Sequence, residues 1–100
     1  MKVIHTESLK GTEREVFGKG FVSMRILLEK DRMGFSLHKT IIPKGDKEHW
    51  HYKHHLEACN CVYGYGILTD LETGDKHEIR PDTTYVLDNH DNHTFQALGS

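Results

Sequence analysis

Residues 45–64 read GDKEHWHYKHHLEACNCVYG, and this stretch gives the strongest indication of fold in the chain. Gly45, His51, Glu57 and Gly64 follow the spacing G-x5-H-x5-E-x6-G. Four of the nine histidines of the chain also lie here. Histidine is the commonest metal ligand and the usual acid–base group near neutral pH, so a functional site is expected in this stretch.

Outside this stretch, Gly and Pro residues divide the chain into short segments that are rich in β-branched and aromatic residues. Turn signals recur about every 8–12 residues, which is typical of antiparallel sandwiches and barrels. One of them, Glu72-Thr73-Gly74-Asp75, predicts a hairpin turn. Helical periodicity is weak, and only residues 7–16 are expected to form a turn or two of helix. The predicted strands are 22–29, 35–42, 56–63, 67–71, 76–79, 84–87 and 94–98.

Composition and charge exclude several classes of protein. The chain has 100 residues, 36% hydrophobic and 28% charged, as expected for one globular domain. Its net charge of -2 excludes the basic surface that nucleic-acid binding requires. No apolar run approaches the ~18–20 residues that span a bilayer, and residues 1–8 lack the apolar segment of a signal peptide. We therefore expect no nucleic acid and no membrane among its partners.

The two cysteines, Cys59 and Cys61, are two positions apart and share one face if the segment is a strand. Such a pair is poorly placed to bridge to itself, and no CxxC motif is present. Two small buried side chains on a strand are the expected interpretation. Free thiols of this kind favour a reducing, cytoplasmic location.

The spacing of the first stretch resembles the first motif of cupins, which are small double-stranded β-helix (jelly-roll) barrels. The second His ligand of that motif is replaced here by Lys53, whose protonated amine cannot bind a metal, while the acidic ligand is kept as Glu57. Farther along, Tyr85 stands where a cupin His is expected, and His93 follows it. The resemblance implies an all-β cupin barrel, a single domain over residues 1–98 with a short N-terminal helical or irregular segment.

Three strings narrow the resemblance to one cupin family: MGFSLH at 33–38, HYKHHLEA at 51–58 with GYG at 64–66, and YVLDNHDNH at 85–93. Together they resemble ectoine synthases, in order and from about Gly11 to Leu98. That resemblance implies a cytoplasmic, iron-dependent homodimer. It also implies a carbon–oxygen lyase (a hydro-lyase) acting on a small molecule, N-γ-acetyl-L-2,4-diaminobutyrate. The enzyme closes this molecule into ectoine, a compatible solute made under osmotic stress, with loss of water.

The family resemblance assigns the iron (Fe2+) to Glu57, Tyr85 and His93. A carboxylate, a phenolate and an imidazole form a hard donor set that suits iron, and three protein ligands leave positions open for substrate or water. A bound metal is able to deprotonate a phenol whose ordinary pKa is about 10. Without the motif, Tyr85 would be interpreted as a core aromatic residue and His93 as a solvated loop residue.

The same pattern implies substrate contacts at Phe21, Arg25, Thr40 and Tyr52. The planar guanidinium of Arg25 suits a carboxylate, and the alternative is an exposed charge on a strand. For Thr40 the alternative is a hydroxyl that is paired within the sheet, and for Tyr52 it is packing at a rim. Phe21 stands where the family usually has Trp, so it keeps an apolar wall but lacks the indole N–H donor.

Ring closure with loss of water needs an acid for the departing oxygen and a base for the attacking nitrogen. Tyr52 and His55 are the candidate catalytic residues. His51 and His55 lie at alternate positions with Lys53 and Glu57 and could share the inward face, so His51 remains an alternative to His55. The remaining histidines of this region are expected at the surface: His49, His54 and His90.

Two other functions fit these residues: a different metal-dependent cupin enzyme, such as an isomerase or oxygenase, and a non-catalytic cupin that binds a small ligand.

Ectoine synthases usually continue with a Cys-Val-Phe-Asn-Pro-Pro-like strand and a Glu-x-x-His-like stretch. Gly99-Ser100 is typical of a cloning remnant. We therefore expect a C-terminally truncated barrel with an exposed edge and impaired activity.

Overall fold

The computed structural model describes residues 1–99, which form two compact units, one over residues 1–42 and one from residue 43 onward. The regular elements of the described residues are nine β-strands and two short 3-10 helices. The all-β class predicted from the sequence is therefore confirmed. Neither 3-10 helix has the length and apolar character to cross a membrane.

The first unit is an antiparallel sheet with the order β1-β2-β3. Its strands are β1 (Glu15–Gly18), β2 (Phe21–Leu27) and β3 (Leu37–Ile41). A 3-10 helix at Thr6–Leu9 precedes β1, and a second one at Glu29–Asp31 follows β2. Leu9 and Met24 are its buried apolar side chains, whereas every residue of β3 is exposed.

An ion pair fixes the segment that leaves β2. Both oxygens of Asp31 accept hydrogen bonds from the guanidinium of Arg14, at 2.9 and 3.0 Å. Asp31 also accepts the backbone N–H of Leu28 at 2.8 Å. These hydrogen bonds hold the pKa of the Asp31 carboxyl far below its usual range. The second 3-10 helix is thereby tied to the start of β1.

The second unit contains a four-stranded sheet and a separate strand pair. The sheet has the order β4-β9-β6-β7, and β5 pairs with β8. The buried apolar side chains of this unit are Leu68, Ile79, Leu87, Phe95 and Ala97. The six strands are β4 (Glu48–Trp50), β5 (Glu57–Asn60), β6 (Tyr65–Asp70), β7 (Lys76–Ile79), β8 (Thr84–Leu87) and β9 (His93–Gly99).

The hairpin predicted at residues 72–75 joins β6 to β7. Asp70 Oδ1 accepts the backbone N–H of Glu72 at 2.9 Å, and the Asp70 carbonyl accepts the N–H of Gly74 at 2.8 Å. Gly74 has φ +81°, a left-handed conformation that glycine adopts without steric cost. The turn that the sequence predicts here is therefore the turn that forms.

The structure corrects three local predictions. Residues 7–16 form no helix beyond the single 3-10 turn and instead lead into β1. The sequence did not indicate β1 or β4, because four and three residues are too few to show a period and both strands depend on pairing with distant partners. The predicted strand 56–63 is shorter than expected, since only Glu57–Asn60 pairs with β8.

Candidate active site

The β5–β8 pair places two of the predicted metal ligands, Glu57 and Tyr85, on one face. In the register of the pair, Cys59 is opposite Tyr85 and Glu57 is opposite Leu87. Because side chains alternate along a strand, all four point to the same side. On that side Leu87 is buried and the other three are half-buried, whereas the alternate residue Val86 is exposed. The shared face is therefore the inward one.

The third predicted ligand, His93, begins β9 and is only 2% exposed. Its Nδ1–H donates to the carbonyl oxygen of Asp91 at 2.9 Å. This hydrogen bond leaves the lone pair on Nε2, which is the tautomer that a metal ligand needs. Two residues farther along the same face, the Phe95 ring stacks on Tyr85 with centroids 6.3 Å apart. The stack joins the strand pair to the four-stranded sheet beside His93.

The candidate catalytic residues, Tyr52 and His55, contact these predicted ligands. The two rings are stacked with centroids 4.7 Å apart, and the Tyr52 ring lies 5.8 Å from that of His93. His55 Nε2 lies 3.5 Å from Glu57 Oε2. His90 Nδ1–H donates to the Tyr52 carbonyl at 2.8 Å and so fixes the backbone of this segment. The structure thus brings all five of the predicted ligands and catalytic residues of this unit together.

Burial and the nearby negative charge of Glu57 keep the two tyrosine hydroxyls and the Cys59 thiol of this cluster protonated. Burial, followed by the charge of Glu57, raises the pKa of Tyr52 to about 12. Burial and the hydrogen bond to Glu57 raise the pKa of the Cys59 thiol to about 12. Burial also raises the pKa of Tyr85, with smaller contributions from Cys59 and Glu57. Without a cation, the cluster has one carboxylate and three proton donors.

The donor set fits a metal ion by its chemistry. A half-buried carboxylate, a half-buried phenol and a buried imidazole with a free lone pair are the kinds of donor that iron accepts. Among residues 1–99, no three His, Cys, Asp or Glu side chains form such a group by themselves. The predicted set differs because its third donor, Tyr85, is a phenol.

A cavity of about 500 Å³ opens beside Tyr85 and His93. Its lining combines apolar side chains, among them Leu68 and Ile79, with polar ones such as Asp70. The size lies within the range of small-molecule sites, which is about 300–1,000 Å³. A small substrate would therefore have room next to two of the predicted ligands.

The predicted substrate contacts Phe21, Arg25 and Thr40 lie in the unit of residues 1–42, on one face of its sheet. Thr40 is opposite Ser23 in the register, and its hydroxyl lies 3.5 Å from that of Ser23. Arg25 Nε is buried and has no hydrogen-bond partner among residues 1–99. The ring of Phe21 lies over Gly18, so close that a side chain at position 18 would displace it.

Comparison with known proteins gives the family. The family model described as ectoine synthase matches residues 1–99. The chain belongs to the ectoine synthase family. The L-ectoine synthase of Alkalilimnicola ehrlichii is 54% identical to it over 97% of this chain and 74% of that protein. The L-ectoine synthase of Desulfosudis oleivorans is 48% identical over 97% of this chain and 75% of that protein.

A solved structure of an ectoine synthase, from P. lautus, matches with a TM-score of 0.91 and 38% sequence identity. The match covers 97% of this chain and 70% of that one. The cupin fold expected from the sequence is therefore confirmed. The fold and family were both indicated by the short motifs at residues 33–38, 51–66 and 85–93.

The structure also shows what the sequence missed in this member of the ectoine synthase family. Cys59 was interpreted only as a small buried side chain, but its thiol donates to Glu57 Oε1 at 2.9 Å. The spacing Glu-x-Cys on a strand was the available signal, since it puts both side chains on one face. Both candidate histidines are exposed, but His55 is the one that contacts Tyr52 and Glu57. The histidines expected at the surface are exposed: His49, His54 and His90.

Proposed function

We propose that this chain catalyses the ectoine synthase reaction. In this reaction the free amine of N-γ-acetyl-L-2,4-diaminobutyrate attacks the acetyl carbonyl carbon of the same molecule. A carbon–nitrogen double bond forms, and the carbonyl oxygen leaves as water. The observation that carries the proposal is the grouping of five side chains in a chain whose relatives are named L-ectoine synthase. Glu57 and Tyr85 lie on the inward face of the β5–β8 pair, and His93 begins β9. Tyr52 lies beside His93, and His55 lies beside Glu57.

The cofactor proposed for this site is Fe2+, held by Glu57, Tyr85 and His93. When bound, such an ion supplies Lewis-acid polarisation of a carbonyl oxygen. The orientation of the donors supports the assignment, because the Asp91 carbonyl directs the free Nε2 of His93 and the stack on Phe95 fixes the ring of Tyr85.

Tyr52 is proposed as the acid. With a pKa of about 12 its hydroxyl keeps its proton at neutral pH, and it would release that proton only to the strongly basic oxygen that develops as the carbonyl oxygen departs. Its ring stacks on that of His55 and lies near that of His93, and its backbone carbonyl accepts a hydrogen bond from His90. These contacts restrict the position of the ring that carries the hydroxyl.

His55 is proposed as the base for the attacking amine. Its Nε2 lies 3.5 Å from Glu57 Oε2. The stack on Tyr52 places acid and base side by side. A substrate folded so that its amine meets its carbonyl would present both proton-transfer positions to these two residues.

Phe21, Arg25 and Thr40 remain proposed substrate contacts. Their position on one face of the β1-β2-β3 sheet supports this assignment, as does the unpartnered Nε of Arg25. A buried guanidinium nitrogen without a partner is costly, and a substrate carboxylate would satisfy it.

A cytoplasmic homodimer that contributes to osmotic-stress protection completes the proposal. Both cysteines are free thiols, in agreement with a reducing compartment. β3 is an edge strand of its sheet and exposes Leu37 and Ile41, and such an edge favours pairing with another chain. Light scattering during gel filtration should give twice the chain mass, and a monomer mass would contradict the dimer.

The reaction is tested by incubating the metal-free and iron(II)-loaded protein anaerobically with N-γ-acetyl-L-2,4-diaminobutyrate. Ectoine is followed by chromatography. We expect ectoine only from the loaded protein and a loss of at least about 100-fold in Glu57→Gln, with Glu72→Gln in the exposed hairpin as the matched control. Iron-loaded protein that forms no ectoine would overturn the proposal. Oxygen consumption would instead favour an oxygenase.

A further inference from the structure

Cys59 is a neighbour of both oxygen ligands proposed for the metal on the inward face of the strand pair. It occupies the middle of β5, directly opposite Tyr85 and two positions from Glu57 on the same face. Its thiol donates to Glu57 Oε1 at 2.9 Å.

The carboxylate of Glu57 is consequently held at both of its oxygens. Cys59 contacts Oε1, and His55 Nε2 lies 3.5 Å from Oε2. A carboxylate on a strand has freedom about its side-chain torsions unless hydrogen bonds restrict it. Two contacts from different directions restrict the rotation of the group and so fix the direction in which its lone pairs point.

We propose that Cys59 is a positioning residue whose thiol sets the orientation of the Glu57 carboxylate for metal binding. The inference rests on the proposed function, because it takes Glu57 as a metal ligand. Partners that orient ligands typically change metal affinity by about 10–100-fold when they are removed.

Cys61 provides a matched control because it has the same side chain close by. Its thiol contacts the backbone carbonyl of Tyr63 at 3.3 Å and makes no contact with the proposed ligands in the described structure. A general effect of removing a thiol from this part of the chain would appear in Cys61→Ala. An effect on ligand orientation would appear only in variants of Cys59.

The experiment measures the dissociation constant for iron(II) anaerobically, by competition with a chromogenic chelator. We expect the constant to rise about 10–100-fold in Cys59→Ala and to stay within about twofold in Cys61→Ala. Cys59→Ser keeps a donor to Glu57 Oε1 and should recover most of the affinity. Circular dichroism of each metal-free variant establishes folding, and Cys59→Val, which fills the site but has no hydrogen to donate, replaces Cys59→Ala if that variant does not fold.

Three outcomes would overturn the inference. One is unchanged affinity in Cys59→Ala, and another is an equal loss in Cys61→Ala. The third is a loss in Cys59→Ser as large as that in Cys59→Ala, which would make the sulfur itself a ligand.

Glu57→Gln separates this inference from the proposed function. If Glu57→Gln binds iron as the unaltered chain does, the ligand assignment fails. If only Cys59→Ala is without effect, the positioning role fails alone.

Discussion

The strand pair β5–β8 and the four-stranded sheet β4-β9-β6-β7 differ in how many buried apolar side chains and how many proposed metal ligands they hold. Of the eight residues of the pair, only Leu87 is buried, whereas the larger sheet holds most of the buried apolar side chains. Two-stranded sheets alone are marginally stable in water. Yet the pair holds two of the three proposed metal ligands, and the larger sheet holds only His93. Stability thus comes mainly from one sheet and chemistry mainly from the other, and a metal bound to both would join them.

The largest expected effect comes from removing the Phe95 side chain, through which the four-stranded sheet packs on the β5–β8 pair. Phe95 is 7% exposed, and its ring packs on Tyr85 and over Gly66. Phe95→Ala should lower the free energy of unfolding by about 3–5 kcal/mol, because it removes apolar contacts and leaves a cavity. Urea unfolding of the metal-free protein measures the change. A loss below about 1 kcal/mol would mean that Phe95 is not a main contact of this core.

The next effect tests whether the metal joins the two sheets. Iron(II) at about 100 times its dissociation constant should raise the free energy of unfolding by about 2.7 kcal/mol, since it binds only the folded chain. Tyr85→Phe keeps the aromatic stack on Phe95 but removes the oxygen donor, so the stabilisation by iron should be largely lost. Thermal unfolding with and without iron(II) provides the measurement. Equal stabilisation of both proteins would exclude Tyr85 as a ligand.

A smaller effect is expected from overpacking the same contact. A Cβ at position 66 would lie 2.6 Å from the Phe95 ring and 2.8 Å from the backbone oxygen of Gln96. Because a backbone atom cannot move aside as easily as a side chain, Gly66→Ala should cost about 1–3 kcal/mol. Gly45→Ala is the matched control, as its nearest neighbour would be 3.8 Å away. Equal urea midpoints for the two variants would contradict the close packing.

What the sequence could predict depends on whether a structural feature is set by neighbouring residues or by residues far apart in the chain. The bounds of β7 and β8 were predicted correctly, because turn signals flank short strands on both sides. The motif named Glu57, Tyr85 and His93, but only the register of β5 with β8 shows that Glu57 and Tyr85 share a face. That register depends on pairing between residues 24 to 30 positions apart, which no local pattern encodes. The pairing of β4 with β9 was missed for the same reason, whereas the contact of Cys59 with Glu57 had a local signal in the spacing Glu-x-Cys.

The smallest expected effect lies on the outward face of the pair. Val86 is 57% exposed, so Val86→Ala should change the free energy of unfolding by no more than about 0.5 kcal/mol. Leu87 is the matched buried control: it is 5% exposed, and Leu87→Ala should cost about 2–5 kcal/mol. Iron(II) affinity should stay within about twofold in Val86→Ala, since the side chain points away from Glu57 and Tyr85. A loss above about 1 kcal/mol in Val86→Ala would show that the outward face is also packed. The pair would then not depend on its inward contacts and a bound metal for its stability.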